Sequence, residues 1–144
     1  MSNVFETIKE FNQFYGLPCP DVPTLSAVGD LDTRIRGFVK TVEDELSEGF
    51  EILEKLEAGA TELEMLTDLA DWYNDIVVYA LSEAAKFGIP SERVLQAIME
   101  SNFSKKQADG SVLKDRSGKV LKGPHFQPPE PVICGEIVRA GYKP

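Results

Sequence analysis

Histidine, tryptophan and cysteine are nearly absent from this chain: one, one and two among 144 residues. A lone histidine, His125, excludes the paired Glu-x-x-His motifs of di-iron carboxylate bundles. The two cysteines, Cys19 and Cys134, show no zinc-type spacing and are expected to be free thiols. There is no Gly-x-x-x-x-Gly-Lys phosphate loop and no Gly-x-Ser-x-Gly nucleophile elbow. Apolar runs are all shorter than a membrane span, and Met1 to Glu6 carries neither a basic nor an apolar leader region. A cytoplasmic protein with no membrane partner is therefore expected. A formal net charge of −9 weighs against a nucleic-acid partner, because phosphate backbones are gripped by Lys and Arg.

Basic residues are missing altogether from Leu56 to Ala85. Residues 41 to 75 hold twelve acids against Lys55, a balance of −11. A solvated helix face would interleave Lys or Arg with its acids to gain i,i+4 pairing, and this stretch does not. Glu64, Asp68, Asp71 and Asp75 are spaced by four, three and four, so a helix lines them up in one stripe. Glu45 and Glu48 lie one turn apart upstream. A turn near Gly59 would fold the two segments into an antiparallel hairpin with Glu45 and Glu48 level with Asp68, Asp71 and Asp75. At 5 to 6 Å, each like-charged pair repels by roughly 3 kcal/mol at an effective dielectric near 20. Such crowding calls for a bound cation. Carboxylate oxygens suit a hard divalent ion, Mg²⁺ or Mn²⁺.

The pattern along the chain predicts an all-α fold in one domain, 1–144. It divides into an N-terminal helix and Pro-rich linker (1–30), a helical core (31–103) and a basic tail (104–144). Ser2 to Tyr15 reads as a helix closed by Gly16. Pro18, Pro20 and Pro23 impose an extended linker. Apolar residues at three- and four-residue intervals give a long helix from Leu31 to Leu56, with Gly49 inside it at a cost of up to about 1 kcal/mol. Thr61 and Glu64 form a capping box for the next helix, which Gly88 ends. Two apolar sets mark that helix. Leu63, Leu66, Ala70, Tyr73, Val77 and Ala80 open a heptad, and Leu69, Trp72, Ile76 and Tyr79 widen the face past half the circumference. A helix so broadly apolar belongs at the centre of a bundle of four to five helices, completed by a second chain as a homodimer or homotetramer. Pro90-Ser91 starts another helix reaching Asn102. Val112-Leu113 and Val120-Leu121 suggest a small hairpin in the tail, and a last short helix is expected from Pro131 to Ala140.

The acidic pairs Glu45-x-x-Glu48 and Asp68-x-x-Asp71 are followed by Ser101-Asn102-Phe103-Ser104-Lys105 and by Gly118-Lys119-Val120-Leu121-Lys122-Gly123-Pro124. In that order they resemble the all-α nucleoside triphosphate pyrophosphohydrolases, which include MazG, the dimeric dUTPases and phosphoribosyl-ATP pyrophosphohydrolase. The likeness runs from about residue 31 to 130. It implies Mg²⁺ held by Glu45, Glu48, Asp68 and Asp71. Asp68 stands where the family usually has Glu, and Asp75 lies one turn further on, in reach to assist. The resemblance also implies that Asn102 and Lys105 contact the nucleotide and its phosphates and that Lys119 and Lys122 close over the triphosphate. The implied reaction is hydrolysis of an NTP or dNTP to the monophosphate and pyrophosphate, with Glu48 as the expected base. Trp72, Phe103 and Phe126 are candidates to stack on a base, though large aromatics at such positions are more often core or interface. A different reading of the same acids is a non-catalytic helical dimer that binds metal or nucleotide, or a scaffold with an acidic face.

Overall fold

A computed structural model describes residues 3–144, and all its regular structure is helical. Two compact units form, Met1–Gly88 and Ile89–Pro144. The expected division fell after residue 103. The structure instead groups the fourth helix with the tail, because that helix packs on the last one and its C-terminal end is hydrogen-bonded to tail backbone.

In the first unit, α1 (Val4–Phe14) is capped by the Asn3 side chain and stopped by Gly16 at φ +65°. The expected start at Ser2 lies outside the described residues. After the Pro-rich linker and a short 3₁₀ turn, α2 (Leu31–Glu57) begins at Asp30, whose carboxylate accepts from the Thr33 amide. It runs unbroken through Gly49. Gly59, at φ +84°, makes the turn, a backbone state that favours glycine. The capping box at Thr61 and Glu64 then opens α3 (Glu62–Lys86). α2 and α3 pack on each other, and α1 packs on α3.

The α1 contact is built on a buried polar pair inside a small apolar patch of Ile8, Leu81 and Ala85. Asn12 is fully buried; its Nδ2 donates to the Ser82 carbonyl at 3.0 Å, and Ser82 Oγ donates to Asn12 Oδ1 at 2.6 Å. Each side chain satisfies the other, so the burial carries no desolvation penalty of an orphaned group.

The two apolar sets of α3 have separate fates. Leu69, Trp72 and Ile76, from the second set, are the partly covered ones and lie toward α2. The heptad set stays open: Leu66, Tyr73 and Val77 are 57%, 55% and 47% exposed. α2 is divided the same way. Phe38, Val42, Glu45, Gly49 and Ile52 are covered, while Ile35, Val39, Leu46, Phe50 and Leu53 remain exposed. Because the helices are antiparallel, both open apolar stripes fall on one side of the hairpin, and the acidic flanks, tied by a Lys55–Asp68 bridge, fall on the other.

The second unit contains α4 (Ser91–Phe103) and α5 (Glu130–Arg139), which pack together. Between them the expected hairpin shrinks to one antiparallel bridge, Lys114 with Val120, around a turn in which Asp115 Oδ1 accepts from the Ser117 and Lys119 amides. Among the described residues no helix is long and apolar enough to cross a membrane.

Candidate functional site: the acidic side of the helical hairpin

Glu45 is the centre of the arrangement. It points from the α2 face that packs on α3, is only 6% exposed, and its Oε1 has no hydrogen-bond partner. An orphaned carboxylate oxygen in that position is costly. Burial pushes the Glu45 carboxyl above its ordinary value; repulsion by Glu48, Asp75 and Asp71 adds to the shift, as does a hydrogen bond to Glu48 that only a protonated Glu45 can donate. Three other expected ligands, Glu48 from α2 and Asp71 and Asp75 from α3, therefore act on Glu45.

Trp72 fixes the height of this cluster. Its indole Nε1–H donates to the Glu45 carbonyl at 2.8 Å, within the α2 backbone. The same ring is pressed against Gly49, where a Cβ would come within 2.7 Å of the indole. Gly49 is thus a close-contact residue, and Trp72 is a spacer between helices. Glu48, Asp71 and Asp75 are exposed around this floor.

Asp68 is set apart. Lys55 Nζ donates to its Oδ2 at 2.7 Å, so its charge already has a counter-ion, and it is not among the groups that raise Glu45. The expected sharing of one volume by Asp68 and the other acids gives way to this pairing, with Asp75 in its place beside Glu45. Lys55 was legible only as the single cation of an acidic stretch; the bend at Gly59 is what brings it to Asp68.

The donor set is entirely carboxylate oxygen, which fits a hard divalent ion. The orphaned Glu45 Oε1 supplies an inward-facing donor with nothing else to satisfy it. Among the described residues no three His, Cys, Asp or Glu groups already converge at ligand spacing. Glu48, Asp71 and Asp75, all exposed, are the acids that act on Glu45.

In the second unit the remaining candidates sit at the C-terminal end of α4 and in the tail. Lys105 Nζ donates to Asn102 Oδ1 at 2.7 Å. Ser101 Oγ donates to the Gln127 carbonyl, the Gln127 amide donates to Ser104 Oγ, and the Gly123 amide donates to the Lys105 carbonyl at 2.8 Å. Gly123 is pressed so closely on the Lys106 carbonyl that a side chain there would have no room. Lys122 lies 4.7 Å over the Phe126 ring, a cation–π contact that absorbs Phe126 into the tail. Lys119 is exposed on the turn, and Phe103 is 73% exposed at the end of α4. The motifs around Asn102 and around Lys119 to Gly123 are thus folded against each other. Comparison with models of known protein families gives no match for the chain, and comparison with curated proteins gives none either.

Proposed function

We propose that this chain is a Mg²⁺-dependent nucleoside triphosphate pyrophosphohydrolase that works as a homodimer or homotetramer and converts an NTP or dNTP to the monophosphate and pyrophosphate. The observation that carries the reading is a buried Glu45 carboxylate whose Oε1 has no hydrogen-bond partner, with three further acids from two helices acting on it. The ordered likeness of the Asn102–Lys105 and Lys119–Gly123 segments to the all-α pyrophosphohydrolases supports it.

Glu45 and Glu48 from α2, with Asp71 and Asp75 from α3, would hold the ion. When bound, Mg²⁺ supplies neutralisation of phosphate charge and polarisation of the phosphoryl oxygens. Trp72 and Gly49 keep the two helices at the separation that presents the acids. Glu48, exposed and next to Glu45, takes the proton from the attacking water as the new P–O bond forms and the anhydride P–O bond breaks. Within the second unit, Lys105, Lys119 and Lys122 would offer positive charge, and Asn102 an amide donor, to phosphate oxygens. Asp68, already balanced by Lys55, stays outside the ligand set.

Asp68, paired with Lys55 at 2.7 Å, favours a second reading, a helical dimer that binds metal or nucleotide without cleaving it. A panel of NTPs and dNTPs assayed for pyrophosphate with Mg²⁺ separates the two. Release from one or more members supports hydrolysis; metal or nucleotide binding by calorimetry with no release supports the second; no binding of Mg²⁺, Mn²⁺ or nucleotide removes both.

A further inference from the structure

We propose that a second copy of this chain seats on the apolar side of the α2–α3 hairpin, opposite the carboxylates. This deepens the oligomeric part of the reading above and rests on it; it is independent of whether the acids hydrolyse nucleotide.

Size comes first. Phe50 is 69% exposed, and Leu46, Leu53, Leu66, Tyr73 and Val77 lie between 47% and 57%. With Ile35 and Val39 these side chains leave on the order of 800 Å² of apolar surface open, about what each partner buries in a specific interface of standard size. A soluble monomer's largest patch is smaller, a few hundred Å².

Shape and charge select the occupant. On α3 the large residues alternate with Ala70, Ala80 and Ala84 at heptad spacing, so one face carries both knobs and the gaps that receive them. A surface of that kind is complementary to itself, as a two-fold interface requires. On α3 no charged residue falls within the stripe from Leu63 to Ala84, and on α2 Glu43, four residues after Val39 and three before Leu46, is the charge that borders it. The other side of the hairpin carries Glu48, Asp71 and Asp75, and two copies meeting there would set like charges against each other. Two hairpins joined through their apolar sides make a four-helix arrangement whose two acidic clusters face outward, one on each copy.

Sedimentation of the intact chain over a range of concentrations, together with carbene footprinting of its side chains, tests this. At tens of micromolar the particle is expected at twice the 15.9 kDa chain mass or a multiple of it, with Phe50 and Tyr73 protected; dilution should lower the mass and raise their labelling together. Val77→Asp should weaken self-association more than 100-fold while helicity is retained. A particle of one chain mass at those concentrations overturns the proposal, and protection of Phe50 and Tyr73 in such a particle would assign the face to the chain's own C-terminal unit. An oligomer in which Phe50 and Tyr73 label freely overturns it too, and this readout on the unmodified protein decides the matter even where Val77→Asp fails to fold. Pyrophosphate release does not enter any of these outcomes, so a failed activity assay leaves them readable.

Discussion

The two ends of the α2–α3 pairing each bury a glutamate, and they treat it in opposite ways. Glu83, near the end of α3, is 9% exposed and surrounded by cations: Arg34 grips it with Nε and Nη2 at 2.5 and 2.7 Å, and Lys86 Nζ adds a contact at 2.9 Å. Burial alone would raise its carboxyl, yet the hydrogen bonds from Arg34 and Lys86 hold it below the ordinary value. Glu45, toward the turn, is as deeply placed and has only acids around it, so its carboxyl is pushed the other way. A buried acid with cations in place fastens two helices. A buried acid among acids is a place for a ligand to bring the missing charge.

The largest contrast should appear in activity. Glu45→Gln and Glu48→Gln are each expected to lower pyrophosphate release by 100-fold or more, since removal of a ligand or a general base commonly costs about 10² to 10⁴. The same Glu45→Gln change should raise the melting temperature of the metal-free protein at pH 7. A carboxyl raised by folding stabilises the fold below its ordinary value, 4.5, and that contribution is lost as pH climbs through the raised value. Metal affinity measured by calorimetry should run in the other direction, falling as acid protonates Glu45. A Glu45→Gln protein that is both active and no more stable would break the distinction between the two glutamates.

Glu83→Gln tests the other end. It leaves Arg34 half-buried opposite a neutral amide, and a loss of about 2 kcal/mol by chemical denaturation is expected, less than a fully buried pair because Arg34 is partly solvated. The pH sense is reversed from that of Glu45: the contribution of Glu83 is present above its ordinary value of 4.5 and disappears as pH falls through the lowered one. Turnover should persist in the folded fraction.

Gly49→Ala acts one helical turn closer to the Gly59 turn than Glu45. Alanine would gain up to about 1 kcal/mol of helix propensity, but its Cβ would fall 2.7 Å from the Trp72 ring, and overpacking of that kind costs about 1 to 3 kcal/mol. A net loss near 1 kcal/mol is expected, with a change in Trp72 fluorescence as the ring moves off the Glu45 carbonyl.

These residues also mark how far the amino-acid order could be read. Helix positions were legible because their signals are local: the capping box at Thr61, the glycines at 16, 59 and 88, and apolar periodicity place α2 and α3 to within a residue or two. The opposition of Glu45 to Asp71 and Asp75 followed from counting outward from the turn. Gly49 announced a close contact without naming the neighbour, because only packing puts Trp72 against it. The Arg34–Glu83 pair spans 49 positions and the Asn12–Ser82 pair 70, and no spacing rule links residues that far apart. The break between units at Gly88 was hidden for a related reason: it depends on whether α4 has more to bury against α5 and the tail than against α3, which is a property of surfaces.

The smallest expected effect separates Asp68 from its neighbours. Lys55 and Asp68 are joined across the hairpin near the turn, with the lysine well exposed, so solvent and salt screen the pair. Lys55→Ala is expected to move the melting temperature by no more than ~3 °C. It strips Asp68 of its counter-ion, however, and returns a negative charge to the acidic side. If Asp68 is a bystander, Mg²⁺ affinity should rise less than threefold, as a remote carboxylate adds only a screened attraction. A rise of tenfold or more would mean that Asp68, once released, joins Glu45 as a ligand, and that Lys55 holds one acid of the cluster in reserve. Repeating the titration in Lys55→Ala/Asp68→Asn settles which, because the second substitution should cancel the gain only when Asp68 is its source.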